Sequence, residues 1–228
     1  RLRDDFLIER LFADDEVNMV YSMYDRMIVG GAMPKAEELK LEAIPPLKAD
    51  YFTTRREIGV FNVGGSGYIM VGKEKFKLNF KEALYIGRGD REVVFGSDNA
   101  EEPAKFYFNS TTAHKEYPCR VVTKKDALVA HMGSLETSNE RNINKMIVSQ
   151  ILPTCQLQMG MTELMPGSVW NTMPAHVHSR RMEAYFYFEV PAGQAVCHLM
   201  GEPEETRHIW MKNNQAVLSP EWSIHSAA

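Results

Sequence analysis

Between Tyr51 and Phe95 the chain is cut into short apolar runs by glycine, aspartate and lysine. They are Ile58-Gly-Val-Phe-Asn-Val, Gly67-Tyr-Ile-Met-Val-Gly, Glu74-Lys-Phe-Lys-Leu, Ala83-Leu-Tyr-Ile-Gly and Glu92-Val-Val-Phe. Runs this short, rich in β-branched and aromatic residues between glycine corners, read as antiparallel strands rather than helices. Lys105-Phe-Tyr-Phe-Asn adds another strand. Closely spaced short strands close into a sandwich or barrel, because each buries its apolar face only against a second sheet.

A similar pattern resumes after Lys145. Strands are expected at Met146-Ile-Val, Gln156 to Leu164, Glu183 to Val190, Ala195 to Met200, Thr206 to Met211 and Gln215 to Ser219. The two halves resemble each other: Arg55-Arg-Glu-Ile-Gly-Val-Phe parallels Arg180-Arg-Met-Glu-Ala-Tyr-Phe, and similar turns and strands follow each. A duplicated module explains this. The chain is therefore expected to be all-β, two jelly-roll β-barrel modules in tandem. Residues 1–110 form the first module, 111–144 a connection and 145–228 the second. Residues 1–16 read as a short helix or an arm over a neighbouring subunit, Val17 to Val29 as strand, and Lys35 to Lys48 as loop or short helix.

The stretch Pro174-Ala-His-Val-His-Ser-Arg-Arg-Met-Glu carries the chemistry. On a strand alternate side chains share a face, so His176 and His178 point the same way. Glu183 follows a short turn and can return to them. His225, in Pro220-Glu-Trp-Ser-Ile-His, is the candidate fourth donor. Three imidazoles and one carboxylate suit a first-row transition metal. The competing reading pairs Glu183 with Arg180 or Arg181 at the surface. The first module carries Tyr51 and Thr53 where the second has His176 and His178, so it is expected to be structural or interface-forming.

Alternation puts Tyr185 and Tyr187 on the Glu183 face and sends Phe186 and Phe188 outward. The tyrosines suit either core packing or hydrogen bonding to a polar ligand. Arg180, Arg181 and Arg207 are candidates for holding a substrate carboxylate, since a guanidinium fork matches that group. His114, His131 and His198 have no motif around them and read as ordinary histidines. A zinc-like ion in such a site can polarise a carbonyl and a hydroxyl together and ease removal of the intervening C–H proton. Iron there could instead activate oxygen, and spacing alone does not choose.

A net charge of −4 over 228 residues gives no reason to expect nucleic acid or an anionic membrane as partner. No apolar run approaches the ~20 residues that span a bilayer. Cys119, Cys155 and Cys197 are widely spaced and odd in number, which fits free thiols in a reducing, cytoplasmic compartment.

The series Gly167, His176-Val-His178, Glu183, Pro220, His225 resembles the two-part signature of the cupin superfamily, with a longer Gly-to-His gap and Trp222 in place of a usual glycine. More closely, the chain resembles the 5-keto-4-deoxyuronate isomerase family. The matching stretches include Arg26-Met-Ile-Val-Gly-Gly, Thr154-Cys-Gln-Leu, Trp170-Asn-Thr-Met-Pro, Arg180-Arg-Met-Glu, Glu205-Thr-Arg-His-Ile and Trp222-Ser-Ile-His-Ser, and they cover nearly the whole chain. The resemblance implies a bicupin with one Zn2+ per subunit on His176, His178, Glu183 and His225, usually a homohexamer. It implies conversion of a small anionic sugar acid, 5-dehydro-4-deoxy-D-glucuronate, to 3-deoxy-D-glycero-2,5-hexodiulosonate in pectin degradation. It does not place the acid–base residue. Two other functions compete: a sugar-acid-binding cupin without turnover, and an iron-dependent oxygenase. The family pattern continues past the final Trp-Ser-Ile-His-Ser. The native chain is therefore expected to be longer at both ends, and His225 to be poorly braced at an exposed barrel edge.

Overall fold

A computed structural model describes residues 1–228. The chain is all-β apart from a one-turn helix, Leu2–Phe6, and two short 3-10 turns. No helix is long and apolar enough to cross a membrane. The three cysteines are free and half-buried.

Two compact units divide the chain. One holds Leu11–Leu128 with Lys145–Gly160; the other holds Arg1–Arg10, Val129–Asn144 and Met161–Ala228. This partition differs from 1–110, 111–144 and 145–228. Thr111 to Asn144, expected to be a connection, contributes the strands Arg120–Val122 and Leu128–Met132 and part of Arg141–Ile147. The first ten residues belong with the C-terminal unit, because Leu7–Ile8 pairs antiparallel with Gln215–Ser219. The expected arm thus folds onto its own chain. A two-residue strand has too little apolar surface for hydropathy to show where it pairs.

In the larger unit every expected meander strand forms. Val17–Tyr21, Ile28–Ala32, Phe106–Thr112, Arg56–Asn62, Ala83–Ile86 and Arg120–Val122 make a six-stranded sheet. Leu39–Lys40, Val93–Ser97, Gly67–Val71 and Glu74–Leu78 make a four-stranded one. The run from Val17 to Val29, expected as one strand, is a hairpin: Asp25 and Arg26 take φ of 48° and 53° and turn the chain back. Both sheets contribute to one core, in which Phe95 stacks on Phe106 and Phe108 at 5.4 and 6.0 Å. Gly30 is required there, since a Cβ would lie 2.3 Å from the Phe108 ring.

Buried Glu57 is the ionic anchor of this unit. Its carboxylate accepts hydrogen bonds from the backbone N–H groups of Cys155, Gln156 and Leu157 at 2.7–2.8 Å and from Tyr85 Oη at 2.7 Å. Four donors replace the water that a buried carboxylate loses.

In the C-terminal unit, Leu7–Ile8, Gln215–Ser219 and Glu183–Tyr187 form a three-stranded sheet. Asn171–His176, Ile224–Ala227, Val196–Glu202 and Glu205–Met211 form a four-stranded one. Met200, Ile209, Met211 and Val217 are its buried core, with Tyr185 and Tyr187 packed against them. The strand Ile224–Ala227 lies between Asn171–His176 and Val196–Glu202, bonded on both edges. His225 is therefore braced from both sides, contrary to the expectation of a loose edge.

Candidate metal centre

Three strands converge to make the site. His176 ends the strand Asn171–His176, and the pairing register sets it opposite His225. His225 also pairs with Met200 on its other side and is only 2% exposed. His178 lies just beyond the strand, not on it as strand alternation alone would have it. Its N–H donates to the Glu221 carbonyl at 3.3 Å, which carries the alternation one step further. Glu183 opens the next strand, Glu183–Tyr187.

The possible donor atoms of His176, His178 and His225 all lie within 4.8 Å of one another. Ring centroids are 4.6 to 5.0 Å apart. Glu183 reaches into the same space, with Oε1 3.0 Å from His178 Nε2 and Oε2 3.4 Å from His225 Nε2. The four residues singled out from spacing are thus brought together.

Protonation suits a cation. Burial lowers the His178 and His225 pKa values, with the Glu183 carboxylate pulling the other way. Both rings are held toward the neutral form that coordinates metals. His176 Nδ1 lies 3.1 Å from the Pro174 carbonyl, an acceptor, so Nδ1–H donates to it and fixes the ring. Arg181 reaches into the cluster and pairs with Glu183, as the competing reading expected: its Nη2 is 2.8 Å from His178 Nε2 and 3.2 Å from Glu183 Oε1. A neutral His178 Nε2 cannot both accept from that guanidinium and donate to that carboxylate. A cation held by His178 and Glu183 would remove the conflict. The residues present fit such an ion, and Arg181, more than half exposed, has room to swing out.

Tyr185 Oη donates to Glu183 Oε2 at 2.9 Å and orients the carboxylate. Tyr187 lies on the same side but turns to His198, its Oη 2.7 Å from Nδ1. Phe186 and Phe188 stack on each other at 5.7 Å. The side chains of Arg180 and Arg207 are exposed and take no part in the cluster. His198, read as ordinary, is fully buried behind the cluster with its ring 5.3 Å from that of Tyr185, and burial pushes its pKa down to about 4. No short motif marks it. The only available signal is its place in the strand opposite the His225 strand, which requires the register.

The family model described as KduI/IolB matches residues 6–228. A protein of Bacteroides fragilis named 4-deoxy-L-threo-5-hexosulose-uronate ketol-isomerase is 73% identical over all of this chain and 81% of its own length. One of Bacteroides thetaiotaomicron with the same name, numbered 1, is 72% identical over the same shares. Among solved structures, an IolB-like protein from Salmonella typhimurium superposes with a TM-score of 0.75 at 16% identity, covering 98% of this chain and 87% of that one. At that identity the likeness shows the shared fold alone.

Proposed function

The chain belongs to the KduI/IolB family, and from that premise we propose that it is a metal-dependent ketol-isomerase acting on 4-deoxy-L-threo-5-hexosulose-uronate. The observation that carries the metal dependence is the convergence of His176, His178 and His225 on one point beside the Glu183 carboxylate. We read the ion as Zn2+, one per subunit, held by these four residues, since neutral imidazoles and a carboxylate are zinc donors. The family likeness further suggests a cytoplasmic homohexamer whose two units are tandem jelly-roll cupin modules, with metal donors only in the C-terminal one.

A bound ion would supply Lewis acidity to the substrate carbonyl and neighbouring hydroxyl, making the C–H between them easier to deprotonate. The chain's own residues do the rest. Glu183 and the histidines hold a fixed donor set. Tyr185 keeps the Glu183 carboxylate aimed inward. Arg181, once displaced from the cluster, is the nearest cation for the uronate carboxylate, with Arg180 and Arg207 as weaker candidates and Tyr187 as a wall.

The test is turnover of the deoxy-ketouronate before and after chelation. Activity that disappears with the metal and returns with zinc under anaerobic conditions supports the proposal. Undiminished turnover by metal-free protein refutes the metal role; oxygen uptake would make it an oxygenase, and tight binding without turnover a sugar-acid binder.

A further inference from the structure

The unit without metal donors has a cavity of about 190 Å³ whose lining includes Arg26, Arg55 and Arg56 beside Tyr21, Phe52 and Thr112, with no acidic side chain. Arg56 is only 3% exposed. Its Nε donates to Ser110 Oγ at 3.0 Å, and its Nη2 donates to the Ser110 and Arg26 carbonyls at 2.7 and 2.6 Å. These acceptors are all neutral, and Nη1 makes no hydrogen bond. None of the three arginines forms an ion pair with a carboxylate. Glu57, next in sequence to Arg56, is committed to its four donors.

A buried guanidinium without a counterion is unusual. Taking a charge out of water costs several kcal/mol unless an opposite charge offsets it. Burial lowers the Arg56 pKa to about 10; the Tyr21 phenol pulls the other way, and the nearby Arg26 charge adds to the fall. Arg55 is fixed at the rim by donating to the Leu47 and Lys48 carbonyls at 2.5 and 2.8 Å. Two hydroxyls add donors. Tyr21 Oη makes no hydrogen bond, and Thr112 Oγ1 only accepts, from Gln156 Nε2 at 3.1 Å, so its hydrogen is free.

The geometry points to a second ligand site here, one that takes the carboxylate or phosphate group of a small molecule. The exposed Arg26 guanidinium has both edges free to fork onto the paired oxygens of such groups, and Arg56 Nη1 adds a single donor, its Nε and Nη2 being taken. The volume admits a phosphate or a short dicarboxylate. The site shares no residue with the metal centre, so it stands or falls apart from the proposed isomerase activity. The module without metal donors would thus hold a ligand pocket and not be purely structural.

The experiment is thermal denaturation of the full chain titrated with inorganic phosphate and, separately, malonate, each against sodium chloride of equal ionic strength. A saturable rise in melting temperature beyond the chloride control is expected for at least one probe, and the stronger probe names the preferred group. Arg26→Ala and Arg55→Ala, both at exposed positions, should each weaken the apparent Kd by about tenfold or more, the scale of a lost charge-assisted contact. Arg56→Lys should keep the charge while losing the planar group that presents Nη1, and with it part of the response. His178→Ala should respond like the wild type. A flat titration with both probes overturns the proposal, as does an unchanged response in the Arg26 and Arg55 variants. A change of oligomeric mass in those variants would also overturn it, assigning the pocket to an acidic side chain of a second copy.

Discussion

His176 and His225 are register partners across adjacent antiparallel strands, yet His176 is exposed and His225 is 2% exposed. One lies at the open side of the cluster and the other at its floor. Removing them should therefore have unequal consequences. His176→Ala and His178→Ala should abolish metal binding and leave the β-fold intact by circular dichroism, because strand packing supplies most of the stability in a chain this long. His225→Ala should abolish metal binding and also destabilise the metal-free protein by about 2 kcal/mol through the cavity it leaves. Metal analysis and urea denaturation of the three variants check both parts. Equal stability loss across the set would contradict the buried floor.

Tyr185→Phe removes the hydroxyl that orients Glu183, together with its 3.4 Å contact to Thr172 Oγ1. Zinc affinity should fall by roughly tenfold or more, the usual effect of deleting a group that braces a metal ligand. Competition with a chromogenic chelator measures it. An unchanged affinity would mean that Glu183 is held by its strand alone.

Arg181 sits among the donors and must leave for a cation to enter. Arg181→Ala should bind zinc at least as tightly as the wild type and raise KM for the uronate by about tenfold, with a smaller effect on kcat. Weaker zinc binding in this variant would assign Arg181 a supporting role at the metal instead.

Glu57 accepts four hydrogen bonds in the larger unit. Glu57→Gln keeps the shape but turns an amide N–H toward backbone N–H groups. The loss should be about 3 kcal/mol, since a buried donor is left facing donors. Denaturant midpoints decide, and a loss within experimental error would show that the loop Cys155–Leu157 can find other acceptors.

His198 gives the metal-free protein a defined acid sensitivity. Its pKa falls from about 6.5 unfolded to about 4 folded, so below pH 6.5 the unfolded chain binds the extra proton first. Its stabilisation is complete above pH 6.5 and is lost as the pH falls through 4, on the order of 2–3 kcal/mol. His178 and His225, also lowered, act in the same direction. His198→Gln should flatten the stability profile between pH 6.5 and 4; a profile as steep as the wild type's would place the sensitivity elsewhere.

Much of this molecule is legible along the chain. The strands from Arg56 to Ser97 follow the glycine-punctuated runs, because local period and turn residues decide a short strand. Of the candidate metal centre, His176, His178 and Glu183 stand in one short motif, where neighbours on an extended chain have few ways to point, whereas His225 lies in a separate one. What escaped lies in pairings between distant segments. The ten N-terminal residues dock on Gln215–Ser219, and His198 sits beneath Tyr185 and Tyr187. The bare guanidinium of Arg56 likewise emerges only when Ser110 and the Arg26 turn close around it.

By itself the order of residues determined an all-β chain, most of the meander strands and the four side chains of the candidate site. Only the tertiary structure decided which histidine is buried, which carboxylate is spent on backbone N–H groups, and where positive charge is left without a partner. The reason is physical. Strand formation depends on side chains a few positions apart, whereas burial and charge pairing depend on which strands become neighbours, and that is set by the packing of the whole unit.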